Sequence, residues 1–231
     1  MRPNFYNQAP RYHTAHSPYN LIDRICTPTT RDTILAGDMY HFGTKNWLVI
    51  ERQENKLLLL ATEVIDLHAF HKKAQDVTWA ESDLRKWLNT KLFKQIFNKK
   101  EQALIEPTLL SNPRIDGKPD DPQTTDSVFL LSVEEAKKYF GIRDYYTAPY
   151  MGNWVNSLGL CGAEPHLESY HNYFIDDFLR SYSYYLRTPG LASNTVSVIT
   201  HGELMLSDGD SCNITVTSKY GIRPAIWVRL P

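Results

Sequence analysis

The chain has 231 residues, a formal net charge of −1 and a hydrophobic content of 42%, which is ordinary for one globular domain with extensions. A charge so close to neutral argues against non-specific binding of nucleic acid, which requires a basic excess. No stretch approaches 18 consecutive apolar residues, so we expect no membrane insertion.

The start of the chain differs from the rest. Residues 1–36 are polar, rich in proline and nearly free of periodicity, and we interpret them as an arm that a partner orders or that mediates homo-oligomer formation. They contain no apolar segment of the kind found in signal peptides. Three cysteines without a CxxC motif favour a reducing compartment. We therefore expect a cytoplasmic or virion-associated protein with one domain over residues 37–231.

A β-hairpin is predicted near the start of this domain. Residues 46–51 (NWLVIE) and 56–65 (KLLLLATEVI) are apolar runs of strand length, separated by the polar segment RQEN. The second run hardly alternates between apolar and polar residues, so we expect it to be buried on both faces.

Two helices are predicted next. Residues 78–97 carry apolar side chains at helical spacing, namely Leu84, Trp87, Leu88, Leu92 and Ile96. A second helix over residues 98–105 begins with Asn98 as N-cap and has Glu101 three residues later, the pattern of a capping box.

The middle of the domain combines a loop, a strand and a short helix. Residues 111–126 are full of Pro, Gly and Asp, which predicts a turn-rich loop. Residues 127–132 (SVFLLS) predict a strand. A short helix follows, with Ser132 and Glu135 as a capping box and Gly141 at its end.

The second half of the domain has short strand patterns separated by turns. They are residues 184–190, 194–199, 203–206, 212–218 and 221–231. Residues 143–182 mix aromatic and polar types and receive no assignment. The fold class predicted is therefore α+β, with mixed small sheets, two helices and a loop-rich C-terminal half.

Six blocks of sequence carry a resemblance to known proteins. They are GDMYHFGTKNWLVI, LLLLATEVID, DVTWAESDLRKWLN, TTDSVFLLSVEEAKKYF, YYLRTPG and GIRPAIWVRL. Their order resembles an uncharacterised bacterial and phage domain family with a C-type-lectin-like fold. That family is akin to formylglycine-generating (sulfatase-modifying) enzymes and to variable proteins diversified by retroelements. The resemblance covers residues 37–231 and bears on the fold rather than on the activity, because one fold hosts many functions.

The resemblance implies an arrangement of the chain. In that fold the first and last strands pair, so residues 46–51 are expected to lie near residues 223–230. The loop-rich half after the second helix would then form the ligand face. In the retroelement-diversified relatives, the variable positions cluster just before the motif that reads GIRPAI here.

Two arginines stand in apolar runs beside turns. Arg187 precedes Thr-Pro-Gly and Arg223 precedes Pro-Ala-Ile. A guanidinium has five donors in a rigid fork, so each can clamp a ligand carboxylate or satisfy loop carbonyls. We favour the structural role for both, because burial of a charge demands partners whatever the function.

Catalytic and metal-binding motifs find little support. Cys161 and Cys212 lie far apart, outside the sequence context of the copper-binding cysteines of formylglycine-generating enzymes. The sequence contains two His-x-x-His pairs, His13/His16 and His68/His71, which we interpret as surface histidines. No P-loop, GxGxxG, GxSxG or HExxH motif is present, so we expect no cofactor, no metal and no enzymatic activity.

Calcium-dependent sugar binding is also disfavoured. Residues 164–166 (Glu-Pro-His) resemble the Glu-Pro-Asn tripeptide of C-type lectins, but histidine replaces the amide ligand. The segments DGKPDD and SDGD offer oxygen ligands, yet Asp-Gly pairs are more often plain turns.

Residues 191–221 mix Asn, Ser, Thr, Tyr, His and Lys on short strands and turns, as recognition surfaces do. The residues expected to be exposed and ligand-binding are Asn194, His201, Asp208, Asp210, Asn213, Lys219 and Tyr220. We thus expect a non-enzymatic module that binds a protein or a glycan. An enzyme of the formylglycine-generating fold and a structural subunit of an oligomer are the alternatives.

Overall fold

Most of the apolar runs become strands. The computed structural model describes residues 34–140, 183–200, 203–207 and 214–230. Its strands are β1 (Met39–Phe42), β2 (Lys45–Gln53), β3 (Lys56–Ala61), β4 (Asp66–Ala69), β5 (Thr108–Asn112), β6 (Asp121–Asp126), β7 (Tyr184–Pro189), β8 (Val196–Thr200), β9 (Glu203–Met205), β10 (Lys219–Ile222) and β11 (Ala225–Arg229). Its helices are α1 (Asp83–Trp87), a π-helical turn (Leu88–Leu92), α2 (Phe93–Ile96), α3 (Lys99–Leu104) and α4 (Val133–Phe140).

The first sheet has four strands in the order β1-β2-β3-β11, each antiparallel to its neighbour. The β2–β3 pair confirms the predicted hairpin. In β3, Leu57 to Leu60 are all at most 3% exposed, so the run of leucines is buried on both faces as its lack of alternation predicted.

The second sheet has five strands in the order β4-β10-β7-β8-β9, and its β10–β7 pair is parallel. The chain passes from this sheet into the first one at Arg223 and Pro224, since β10 belongs to one sheet and β11 to the other. A separate pair of strands, β5 and β6, completes the described sheets. These small mixed sheets with short helices agree with the predicted α+β class.

The helix starts depend on side-chain caps. The helical segment predicted over 78–97 begins at Asp83, where the Ser82 hydroxyl accepts a hydrogen bond from the Arg85 backbone N–H at 3.1 Å. The capping box of α3 is present as predicted, with Asn98 and Glu101 exchanging hydrogen bonds. Ser132 and Glu135 form the same reciprocal arrangement at the start of α4.

A buried polar group fixes α1 against the β5–β6 pair. The Asp126 side chain is 1% exposed and accepts hydrogen bonds from Trp79 Nε1 at 2.9 Å, from the Thr124 hydroxyl at 2.9 Å and from Arg85 Nε at 2.7 Å. Asn89 Nδ2 adds a longer contact of 3.4 Å. Because the carboxylate is nearly excluded from water, these donors are what make its burial tolerable.

Two predicted elements in the middle of the chain are wrong. Residues 127–132 do not form a ladder strand: Phe129 makes an isolated bridge to Ala225 while its apolar neighbours fill the core. A short apolar segment that is fully buried shows the same sequence pattern whether or not it forms a strand paired with another strand. Residues 111–126, predicted as a loop, contain the end of β5 and all of β6, whose polar residues suit a half-exposed strand.

Two predictions about the last third also need correction. Among residues 214–218, only Thr215 makes a bridge, to Thr195, and a turn follows, so the strand predicted over 212–218 instead begins at Lys219. The last strand, β11, pairs with β3 and not with the strand at residues 46–51, which lies one position further across the same sheet.

Nearly all of the predicted arm falls outside the described residues. Ile34, near its end, is 5% exposed and belongs to the core. In the part of the chain that the structure describes, no helix has the length and apolar character needed to cross a bilayer.

Two glycines with similar backbone conformations allow a matched test of the β1–β2 turn. Gly43 has φ +65° and Gly117 has φ +76°, values that side chains rarely adopt. A Cβ on Gly43 would lie 2.7 Å from the Ile96 carbonyl oxygen, whereas one on Gly117 would meet nothing within 4 Å. We expect Gly117→Ala to cost about 1–2 kcal/mol of unfolding free energy. Gly43→Ala should cost about 1–3 kcal/mol more, measured by urea unfolding. Equal losses would contradict the described packing of the turn on α2.

Candidate functional site

A pocket of about 290 Å³ lies on one face of the first sheet, beneath α4 and beside β5. Its floor includes three cross-strand neighbours, because Glu51 of β2 pairs with Leu58 of β3, which in turn pairs with Trp227 of β11. Arg187 of β7 reaches the pocket from the second sheet. The pocket therefore lies where the two sheets, the β5–β6 pair and a helix meet.

Three of the strands that line the pocket have an irregular pairing register close to the pocket. The register of β2 against β3 shifts between Val49 and Glu51, which leaves Ile50 as the extra residue of a β-bulge. Shifts also occur in β5 between Leu110 and Asn112, and in β7 over the stretch that contains Arg187. Bulges re-aim side chains and concentrate near functional sites, so the irregularities mark this pocket as a candidate site.

All five N–H donors of Arg187 are used within the protein. Its Nε donates to Asn112 Oδ1 at 3.0 Å, and Nη1 donates to the Leu130 carbonyl at 2.8 Å and to Glu135 Oε2. Nη2 donates to the Ser111 carbonyl at 2.8 Å and to Glu135 Oε1 at 3.1 Å. The residue is 2% exposed. A guanidinium in this state has no donor left for a ligand carboxylate.

A second ionic group lies at the mouth of the pocket. The Tyr139 hydroxyl donates to Glu51 Oε2, and the Lys138 ammonium donates to the same oxygen at 2.8 Å and to the Tyr139 hydroxyl at 3.1 Å. Gln53 Nε2 holds the other oxygen of Glu51 at 2.8 Å. The carboxylate is therefore fixed by three donors, while the Lys138 side chain is 64% exposed.

These contacts shift two pKa values. Burial opposes ionisation of Glu51, but hydrogen bonds from Lys138, Tyr139 and Gln53 outweigh it and hold the pKa of Glu51 below its ordinary value. Burial, together with the Glu51 carboxylate, raises the pKa of the Tyr139 phenol far above its ordinary value. At neutral pH the site therefore presents a carboxylate anion beside a neutral phenol.

Two exposed side chains line the pocket. Leu109 of β5 is 64% exposed, the largest exposure among the large hydrophobic residues in the described ranges. Glu134 of α4 is also exposed. A concavity that combines apolar groups with a few polar or charged ones is the composition expected of a binding site.

The second predicted arginine lies at the junction of the two sheets. Arg223 is 3% exposed, and its Nε donates to the Ala61 carbonyl of β3 at 2.7 Å. Its Nη1 donates to the Tyr184 hydroxyl of β7 at 3.3 Å, and the guanidinium stacks over that ring at 5.3 Å. Both arginines thus contact separate elements that the chain must hold together.

The predicted ligand residues that the structure describes, Asn194, Lys219 and Tyr220, do not line the pocket. Asn194 is half-buried, with φ 64° and a buried Oδ1 that has no hydrogen-bond partner. Lys219 is exposed on β10, whereas Tyr220 is half-buried with its ring 5.3 Å from that of Tyr185, so the expected exposure of Tyr220 is wrong. The other four, His201, Asp208, Asp210 and Asn213, lie outside the described residues.

Two carboxylates of DGKPDD, those of Asp116 and Asp121, pair with an arginine. Arg114 donates to Asp116 Oδ2 at 2.7 Å and to Asp121 Oδ1 at 3.1 Å, and Lys118 pairs with Asp76 at 3.1 Å. Hydrogen bonds from Arg114 hold the pKa of Asp116 well below its usual range. Across the ranges given above, no group of three potential metal-binding side chains is found.

The histidine and cysteine candidates do not form a metal site among the residues that the structure describes. His68 packs on Trp87 at 4.6 Å, and His71 lies 3.1 Å from Asp83, so the pair does not share a site. Cys161 and Cys212, the histidines of the arm, residues 164–166 and the aspartates of SDGD fall outside the described residues.

A family model described as a domain of unknown function, DUF6273, matches residues 54–230. The chain belongs to the DUF6273 family. No curated protein and no solved structure matches it. The matched range includes most of the pocket, but the DUF6273 match begins after β2, so Glu51 lies just before it.

Sequence reasoning found Arg187 but missed the rest of the pocket. Glu51, Leu109, Lys138 and Tyr139 carry no motif, and the last two stand on a helix with an ordinary amphipathic pattern. The one usable signal was Leu109-Leu110 directly before the Pro- and Gly-rich segment, since apolar residues beside a long loop are candidates for a surface contact.

Removal of Arg187 should destabilise this DUF6273 protein strongly. Arg187→Ala removes a buried cation and the donors that it supplies to Asn112, to Glu135 and to two backbone carbonyls, so we expect a loss of about 3–5 kcal/mol. Lys138 lies on α4, the helix that also carries Glu135. Lys138→Ala removes only an exposed ion pair and should cost less than about 1 kcal/mol. Urea unfolding followed by circular dichroism measures both. Wild-type stability of Arg187→Ala would overturn the structural role.

Acid should remove the stabilisation that Asp116 provides. Its pKa is depressed in the folded state, so the stabilisation is present above the ordinary pKa of 3.8 and is lost as the pH falls through the folded-state value. The difference in unfolding free energy between wild type and Asp116→Asn should be constant from about pH 5 to about pH 7 and shrink toward about pH 3. Asp66→Asn, at an exposed position on β4, is the control for the loss of one negative charge. A difference that is flat down to about pH 3 would contradict the Arg114–Asp116 pair.

Proposed function

We propose that this DUF6273 protein is a non-enzymatic recognition module that binds a polypeptide ligand through the pocket between α4, β5 and the first sheet. The observation that carries the proposal is that a fixed carboxylate, Glu51, and the exposed Leu109 line one concavity. Binding sites typically combine apolar walls with a few convergent polar groups in this way.

The size and lining of the pocket favour a polypeptide over a glycan. A volume of about 290 Å³ lies just below the range of roughly 300–1,000 Å³ that small-molecule sites occupy, which suits one inserted side chain. The apolar part of the lining, Leu109, Leu110 and Pro113, suits the neighbouring residues of a protein ligand. One anchored side chain surrounded by weaker contacts is the usual layout of a protein interface.

We also propose that the fold is a variant of the C-type-lectin-like fold. Supporting this, β11 closes the sheet made by β1, β2 and β3, which brings the late part of the domain back to the early part. Asn194 and Lys219 remain candidates for a second contact region, favoured by the unpartnered Asn194 Oδ1 and by the exposure of Lys219.

A capture experiment tests the pocket. The full chain, immobilised, is incubated with bacterial envelope and cytosolic lysates beside the variant Leu109→Glu and its matched control Leu67→Glu. Both leucines are exposed, at 64% and 51%, so both variants should fold, but only Leu109 lines the pocket. We expect a ligand that is retained by wild type and Leu67→Glu and lost by Leu109→Glu.

The chemistry of the captured ligand decides its class. Protease treatment of the lysate should abolish capture and periodate treatment should not. Loss with periodate alone would replace the polypeptide with a glycan. Equal retention by Leu109→Glu, with loss in the variant Asn194→Ala, Lys219→Ala, Tyr220→Ala, would move the site to the face predicted from the sequence.

A further inference from the structure

The pocket contains no available cation in its interior. The Arg187 guanidinium lies at its inner wall, but all five donors already contact protein acceptors, two of them on Glu135. An anionic ligand group would have to displace these buried bonds, and a buried donor or acceptor left unmatched is costly. The interior of the pocket therefore disfavours an anionic ligand group.

The lining of the pocket as a whole has more acidic than basic side chains. Glu51, Glu134 and Glu135 line it, against the two cations Arg187 and Lys138. Glu135 is matched by Arg187 and Glu51 by Lys138, while Glu134 makes no ion pair within the described chain. With Lys138 moved aside, the accessible groups are two carboxylates, which is the charge complementary to a basic ligand group.

The surroundings of the Lys138 ammonium show what such a site accepts. The Nζ atom lies 2.8 Å from Glu51 Oε2, 3.1 Å from the Tyr139 hydroxyl and 4.5 Å from the centre of the Tyr139 ring. A carboxylate, a hydroxyl oxygen and an aromatic face are the three kinds of group that bind an ammonium. The acceptors are fixed by Gln53 and by burial of Tyr139, but the Lys138 side chain itself is 64% exposed.

We propose that the pocket binds a lysine side chain of the polypeptide partner, whose ammonium takes the place of the Lys138 ammonium between Glu51 and Tyr139. Lys138 acts as an internal competitor, because an exposed ion pair of this kind is weak and exchanges readily. The aliphatic part of the incoming side chain packs toward Leu109. This inference rests on the proposed recognition function and specifies the chemical group of the partner that the pocket binds.

The test uses nuclear magnetic resonance of the isotopically labelled full chain. The probe is lysine with capped α-amino and α-carboxyl groups, and the controls are the same compound acetylated on its ε-amine and capped glutamate. We expect saturable shifts at the backbone amides of Glu51, Leu109 and Tyr139 with the lysine probe alone. Binding of the acetylated probe with equal affinity would overturn the proposal, since acetylation turns the ammonium into a neutral amide.

Two variants and a control make the test specific. Lys138→Met removes the internal competitor and should tighten binding of the lysine probe about threefold, as expected if Lys138 occupies the site about two thirds of the time. Glu51→Gln should abolish the shifts. Lys137→Met, on the same helix but outside the pocket lining, should leave the affinity unchanged. An unchanged affinity in Lys138→Met would overturn the internal competition.

The outcomes separate this inference from the proposed function. Suppose that a polypeptide is captured by wild type and lost by Leu109→Glu, but that the lysine probe does not bind even Lys138→Met. These results would support the recognition function and refute the proposed lysine site. Loss of that polypeptide after chemical acetylation of the lysines in the lysate would support the lysine site directly. Capture that survives both Leu109→Glu and this acetylation would refute both proposals.

Discussion

The Arg187 guanidinium is a buried cation whose partners come from distant parts of the chain. Its acceptors belong to β5, to the apolar segment before α4 and to α4 itself, between 52 and 76 residues earlier in the sequence. A charge so far removed from water is stable only when all of its donors are satisfied at once. The relative positions of these elements are therefore set together, and a shift of one of them leaves unmatched polar groups in the others.

The pocket is a consequence of this constraint. Its inner wall is the Arg187–Glu135 pair, its floor is the row Glu51–Leu58–Trp227, and its mouth is formed by Lys138 and Tyr139, which are carried by the helix that Arg187 holds. Arg223 performs a related task at the other junction, where the chain leaves one sheet for the other. The charged groups of the framework are buried and hydrogen-bonded, whereas Lys138 and Leu109 at the surface face solvent. That division suits the proposed recognition function.

Sequence reasoning succeeded where local physics decides the outcome. The leucine run of β3 and the caps at Asn98 and Ser132 specify their structures within a few residues, and Arg187 was conspicuous as a charge in an apolar strand. It failed where contacts between residues far apart in the sequence decide the structure. The bulge at Ile50, which sets how Glu51 is aimed, has no signature in a single sequence, and neither does the choice of β3 as the partner of β11. The β5–β6 pair was hidden because its exposed face requires polar residues, which also suit loops.

The pairing of β11 with β3 has a further consequence for how the chain is made. The Arg223–Ala61 hydrogen bond at this junction closes a loop of 162 residues, so the first sheet lacks one edge while the intervening chain is being synthesised. At about 5–20 residues per second, that interval lasts roughly 8–30 seconds. During it, the unpaired backbone of an almost wholly leucine strand is a template for association with other chains. A nascent chain of this protein is therefore prone to aggregation on the ribosome, and a chaperone that covers an apolar strand edge would protect it there.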